Sequence, residues 1–241
     1  MEENGKKRIL LKLSGELFGS GSLDPDKVYS FAEELISAAQ SGDELALVVG
    51  GGNILRGGSY SGEDYDRASC DYMGMLATVI NAQALKIALD RLEAGSVLMT
   101  AFGIRGVGEV FNRSRALECL SGGSILILAG GTGNPYFTTD TAAALRAAQI
   151  GADIIFKGTK VDGVYDSDPV ENKNAERFDC LSYTEVLEKN LRVMDATAVA
   201  FCRENRIPVF VFNMTREGNL KMAVQGKVNG TMIKGGPDGI G

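Results

Sequence analysis

The chain predicts an α/β fold with a largely parallel sheet covered on both faces. Two observations carry that expectation. Short, continuous apolar runs alternate with segments of helical periodicity, as strands buried on both faces require. Glycine reaches 31 of 241 residues, well above the usual share of about 7%, and glycine-rich stretches follow directly on the apolar runs.

The elements follow in order. Arg8–Ser14 (RILLKLS) reads as a buried strand ending in Gly15. Asp26–Gln40 reads as a helix, with Val28, Phe31, Leu35 and Ile36 at helical spacing behind Asp24-Pro25. Leu45–Val49 is a second strand, running into Gly50-Gly51-Gly52-Asn53. Cys70–Glu93 is a long helix whose stripe (Met73, Leu76, Ala77, Ile80, Ala84, Ile87, Ala88) reads as core. Ser96–Ala101 and Ser124–Ala129 are strands, with a short helix at about Asn112–Leu120 between them. Thr139–Ile150 is an alanine-rich helix, Asp153–Phe156 a strand, and the stretch to Pro169 a polar loop. Tyr183–Asn190 and Asp195–Asn205 are helices, Pro208–Phe212 a strand and Gly218–Gln225 a last helix.

Composition removes several classes of function. With 25 Lys and Arg against 31 Asp and Glu, the net charge is −6, so nucleic-acid binding by counterion release is not expected. The chain has no histidine, which excludes His-based triads and His-bound metals. Cys70, Cys119, Cys180 and Cys202 form no CxxC pair and read as free thiols of a reducing, cytoplasmic setting. Neither a signal peptide nor an apolar stretch long enough to span a membrane is expected.

Ligands of parallel sheets bind at the C-terminal ends of strands, and four such ends carry chemistry. The first gives Lys12-Leu13-Ser14-Gly15; the second gives Gly50 to Asn53, then Arg56. Gly130–Asp140 (GGTGNPYFTTD) follows the SILILA run, and Lys157–Pro169 (KGTKVDGVYDSDP) follows Asp153–Phe156. Glycines let backbone N–H groups converge on an anion. The helix starting near Thr139 adds its dipole, and Lys12 and Arg56 add charge for a phosphoryl group. Taken singly, each feature has a plainer use: a tight turn, a lysine at a strand edge, a first-turn aspartate, a solvated Asp-rich loop. The sheet rule that would gather them on one edge favours the phosphate reading. No GxxxxGK[ST] loop occurs, no GxGxxG follows the first strand, and no HRD motif exists without histidine.

Seven segments in order, RILLKLSGE, VGGGNILR, DYMGMLAT, AGGTGNPYFTTD, KGTKVDGV, YTEVLEK and FNM, resemble the bacterial uridylate (UMP) kinases of the amino-acid-kinase superfamily. The Gly/Pro-rich stretch 235–241 reads as a flexible tail, and the resemblance implies a three-layer α/β/α sandwich, with one domain over residues 1–234. Within it the nucleoside monophosphate half covers roughly 1–150 and the ATP half roughly 151–234. It implies transfer of the γ-phosphoryl group of ATP to UMP, with Mg²⁺, in pyrimidine nucleotide biosynthesis, by an allosteric homohexamer inhibited by UTP. Lys12, Leu13, Ser14, Gly15, Gly52 and Arg56 would contact ATP phosphates, and Thr159, Tyr165 and Asp168 the adenosine. Gly51, Asp71, Thr132, Gly133, Asn134, Pro135, Tyr136, Phe137, Thr138 and Thr139 would hold UMP. Lys12, Arg56 and Asp140 would be catalytic, with Asp140 either orienting Lys12 or meeting Mg²⁺. The loop Leu17–Asp24, long and linked to GTP activation in many members, is short here. The rival readings are a kinase of carboxylates or carbamate on the same scaffold, a nucleotide sensor without activity, and a dehydrogenase.

Overall fold

Each long apolar run becomes a strand. The computed structural model describes residues 6–55 and 65–236. Its strands are β1 (Arg8–Leu13), β2 (Glu44–Val49), β3 (Ser96–Thr100), β4 (Glu109–Val110), β5 (Ile125–Ala129), β6 (Ile154–Thr159), β7 (Cys180–Ser182), β8 (Val209–Asn213) and β9 (Gly230–Lys234). Its helices are α1 (Pro25–Ala39), α2 (Arg67–Arg91), α3 (Arg113–Ser121), α4 (Thr139–Ile150), α5 (Tyr183–Glu188), α6 (Ala196–Asn205) and α7 (Asn219–Val224). A single 3₁₀ turn, Gly15–Phe18, follows β1.

The strands form one sheet in the order β4-β3-β5-β2-β1-β6-β8-β9-β7. Pairing is parallel from β4 to β8; β9 runs antiparallel to β8, and β7 parallel to β9. The sheet divides two apolar clusters. One includes Leu10, Val48, Leu128, Ile155 and the alanines of α4. The other includes Leu11, Leu47, Ile127 and Phe156 with the inner faces of α1 and α2. This alternation along each strand is the period-2 consequence of burial on both faces.

Some elements differ from the sequence reading. β6 continues to Thr159 and takes Lys157 and Gly158 into the sheet, where the sequence suggested loop. β4, β7 and β9 carry no sequence signal of their own: β4 is two exposed residues, and β7 is three residues in a polar stretch. α2 starts at Arg67, because the Asp66 side chain accepts from Ser69 N–H and caps it there.

The core stripe assigned to α2 needs correction. Ala77 and Ala88 are buried, but Leu76, Ile80 and Ile87 are 47–49% exposed and Met73 is 38% exposed. The buried face carries Met75, Thr78, Val79, Asn81, Ala82, Leu85 and Leu89. The helix is apolar nearly all round, so periodicity could not choose the inner face. α2 is also long and apolar enough to cross a membrane by length and composition, contrary to the expectation from the sequence; half of that stretch is buried inside the fold.

Candidate active site

Strands β5, β2, β1 and β6 are consecutive parallel neighbours. The loops that follow them therefore leave from one edge, as the sheet rule required. The chain leaves β1 toward β2 and later returns on the other side of β1 with β6. That is a topological switch point, where sheets of this class form their ligand crevice.

Two lysines stand at that point. Lys12 and Lys157 are register partners across β1 and β6. Each follows a core position by two residues, Leu10 and Ile155, and so faces the α4 side. Asp140, in the first turn of α4, meets both. Its carboxylate lies 3.0 Å from Lys12 Nζ through Oδ1 and 2.6 Å from Lys157 Nζ through Oδ2. All three side chains are at most 15% exposed. The sequence reading placed Lys12 and Asp140 in the site and missed Lys157. The signal was available: both strands carry a lysine two residues beyond a buried apolar residue.

Burial pushes the Asp140 carboxyl up, but the ammonium groups of Lys157 and Lys12 together outweigh it and hold the group below its ordinary value. Burial pulls the Lys157 ammonium below the usual lysine range; Asp140 opposes this and the charge of Lys12 adds to it. Two ammonium groups against one carboxylate leave the trio one positive charge in excess. A buried excess of that sign favours an arriving phosphoryl group.

The loops after β1 and β2 are packed into each other. Gly50 N–H donates to the Leu13 carbonyl at 2.9 Å. A Cβ on Gly15 would stand 2.6 Å from Gly52 N, and one on Gly51 would stand 2.8 Å from Thr78 N and 2.9 Å from the Gly74 carbonyl oxygen. Both positions require glycine because backbone approaches backbone. Gly51→Ala should therefore lower unfolding stability by about 1–3 kcal/mol in urea titrations, the usual cost of overpacking. Among the described residues the N–H groups of Gly51 and Gly52 have no protein acceptor. Leu13 is fully buried, so its side chain is no ligand contact. Arg56 lies outside the described residues.

The inner face of α2 fastens the loops. Asn81 donates to the Gly50 carbonyl at 2.7 Å and pairs with Asn53 through bonds of 2.7 and 3.2 Å. Thr78 Oγ1 accepts from Gly130 N–H at 2.8 Å and donates to the Met75 carbonyl. Thr78 and Asn81 are almost wholly buried. Sequence reasoning missed both, although polar residues within an apolar helix were the visible sign.

Gly130–Thr138 forms the other wall. Gly130, Gly131 and Gly133 all have positive φ. Gly133 N–H closes a turn on the Gly130 carbonyl, and Thr132 Oγ1 accepts from Asn134 N–H at 3.1 Å. Tyr136 N–H donates to Asp71 Oδ2 at 2.8 Å, while Arg67 Nε donates to both Asp71 oxygens at 3.0 Å. Asp71 thus ties the start of α2 to this loop. Tyr136 and Phe137 present exposed rings at the mouth, with the Arg67 guanidinium 5.8 Å from the Tyr136 ring centre. Pro135 lies between Asn134 and Tyr136 and is half-buried, as is Thr139 in the first turn of α4. Thr138 caps α4, accepting from Asp140 N–H, and donates to Asp195. Asp195 also accepts from Thr141 Oγ1 and caps α6 through Ala198 N–H. The sequence marked Asp195 only as a helix start; the bond to Thr138 is long-range and left no local signal.

A cleft of about 260 Å³ lies on the other side of the lysines. Ser14, Glu16, Leu17, Gly158, Thr159, Lys160, Met214 and Thr215 line it. Lys160 reaches across from the end of β6 to pair with Glu16 at 2.5 Å. Thr159 Oγ1 donates to the Val161 carbonyl at 2.7 Å. Tyr165 and Asp168 do not line the cleft. Tyr165 bridges to Arg177, and Asp168 closes a turn by accepting from Val170 N–H.

A switch-point crevice with a cationic floor, glycine loops and one wall on each side is chemically suited to phosphoryl transfer. The comparisons agree. The profile of the amino acid kinase family matches residues 7–213. The solved UMP kinase of Bacillus anthracis is similar at 35% identity and a TM-score of 0.90, over 95% of this chain and 96% of that one. The UMP kinase of Ureaplasma parvum is similar at 36% identity and 0.90, over 95% and 99%. The uridylate kinase of Archaeoglobus fulgidus matches at 30% identity and 0.70, over 94% and 99%. The chain belongs to the amino acid kinase family.

Proposed function

We propose that this chain is a UMP kinase, transferring the γ-phosphoryl group of ATP to UMP and releasing ADP and UDP in pyrimidine nucleotide biosynthesis. The observation that carries the reading is the Lys12–Asp140–Lys157 trio at the switch point, between a glycine-rich wall and a separate cleft. The similarity to solved UMP kinases over nearly the whole chain supports the choice of substrate.

The half before β6 takes UMP, with Gly51, Asp71 and Thr132–Thr139 around it. The half from β6 onward takes ATP, with Thr159 at the cleft, while Lys12–Gly15, Gly52 and Arg56 of the first half reach its phosphates. Tyr165 and Asp168 close over the adenosine side. UMP attacks through a phosphate oxygen already ionised at neutral pH, so no general base is needed. The protein then works by positioning and charge neutralisation. Lys12 and Lys157 face the passing phosphoryl group, and the free N–H groups of Gly51 and Gly52 cradle it. Asp140 accepts a hydrogen bond from Lys157 through Oδ2 and forms an ion pair with Lys12 through Oδ1, which accepts no hydrogen bond among the described residues. In this reading the two ion pairs let Asp140 orient both lysines, and Mg²⁺ comes with ATP, on its phosphates, as part of the substrate. Among the described residues no three carboxylates or thiols are grouped to hold a metal on their own.

The exposed apolar face of α2, with Tyr72, Met73, Leu76, Ile80 and Ile87, supports a self-associating, hexameric enzyme. Leu76→Glu should shift the chain to smaller species in light scattering while leaving its circular dichroism unchanged. UTP inhibition and a cytoplasmic setting belong to the same reading.

A coupled ADP-release assay tests the function. UMP should give the highest turnover in a panel of nucleoside monophosphates, with acetylglutamate and aspartate at background. Turnover with either acid, or none with UMP, would overturn it.

A further inference from the structure

A second cavity lies away from the lysines. It measures about 620 Å³ and lies at the opposite edge of the sheet, within the ordinary range of about 300–1,000 Å³ for a ligand pocket. Lys6, Lys7 and Ile9 around the start of β1, the turn Ser41–Asp43 before β2, and Ile154 at the start of β6 line one side. The end of α7 closes the other.

Its existence follows from a mismatch of lengths. α7 has six residues, about 9 Å of helix. It lies over the end of the sheet where β8 alone runs about 17 Å. The uncovered part leaves Ile154, Phe210, Val224 and Val228 half-buried beside the core. Phe156 and Phe210 form an aromatic floor, their ring centres 5.6 Å apart, with Phe212 beneath.

The rim is cationic. Lys6 pairs with Glu44 at 3.6 Å, whereas the Lys7 ammonium has no ion pair among the described residues. The one carboxylate on the rim, Asp43, already accepts from Lys7 N–H and Ser41 Oγ. An aromatic floor, aliphatic walls and an unpaired ammonium complement a body that is flat and apolar and a head that is negative.

We propose that this edge is a second ligand site, for a small amphiphilic anion with an aromatic or branched apolar body and one carboxylate or sulfonate. The apolar body lies on Phe156 and Phe210, and the head meets Lys7.

The probe is 1-anilinonaphthalene-8-sulfonate, titrated into the full chain and followed by fluorescence. One molecule should bind per chain, and saturating UMP with a non-hydrolysable ATP analogue should leave it bound. Val224→Trp, which fills the cavity, should weaken binding at least tenfold, and Lys7→Glu about fivefold. Both should keep the circular dichroism and kinase rate of the parent. Val228→Trp serves if Val224→Trp does not fold. Displacement by the nucleotides would assign the probe to the catalytic cleft and overturn the proposal. So would unchanged binding in the filled variant, or binding that appears only after residues 2–5 are removed.

Discussion

Asp140→Ala should lower the unfolding free energy by about 3–5 kcal/mol, the cost of removing one partner from a buried ion pair. The loss is large because two ammonium groups, not one, are left without their counter-charge. Urea titration at pH 7 measures it. The difference between parent and variant should also depend on pH. The folded carboxyl titrates below its ordinary value, so its contribution is complete above the unfolded pKa of about 4. That contribution is lost as pH falls through the lower folded value. Titrations from pH 7 to pH 3 should therefore show the two proteins converging only at the acid end. Asp140→Asn keeps the shape and removes the charge. It should fold better than the alanine variant yet turn over slowly, because the lysines lose their common anchor. An Asn variant with parental turnover would remove Asp140 from the mechanism.

Lys12→Ala should reduce turnover by about 10²–10³, or roughly 3–4 kcal/mol of transition-state stabilisation. The effect should fall on kcat more than on KM, because the charge acts on the group in transit. Lys12→Arg should not restore the rate. A guanidinium presents a planar fork in place of a compact point charge, in a space shared with Asp140 and Lys157. Lys157→Ala should match Lys12→Ala in direction. If either alanine variant turned over like the parent, that lysine would have no part in the transfer.

Much of this was legible before any coordinates. The long parallel strands showed as apolar runs, and the helices α1, α4 and α6 began close to where the sequence set them. What escaped was information held across the chain. Lys157 looked like the first residue of a loop, because its strand is recognisable only when β1 and β8 flank it. Thr78 and Asn81 were not singled out, because their partners lie 28–52 residues away. β9 is short and begins at a glycine after a polar stretch, and its signal is its antiparallel pairing with β8. In the candidate site, the sequence offered Lys12 as one of two partners for Asp140, with Mg²⁺ as the other; the ion pair to Lys12 is present, but the trio needed the register.

That register has a consequence for folding as well as for chemistry. Lys157 shares its strand with Phe156, and the two side chains point to opposite sides of the sheet. If β6 slipped by one residue against β1, the ammonium would enter the aromatic layer of Phe210 and Phe212, and the phenyl ring would meet Asp140. An unpaired charge in such surroundings is costly. The lysine paired with Asp140 therefore also proofreads the sheet: only the alignment that assembles the Lys12–Asp140–Lys157 trio lets β6 settle beside β1.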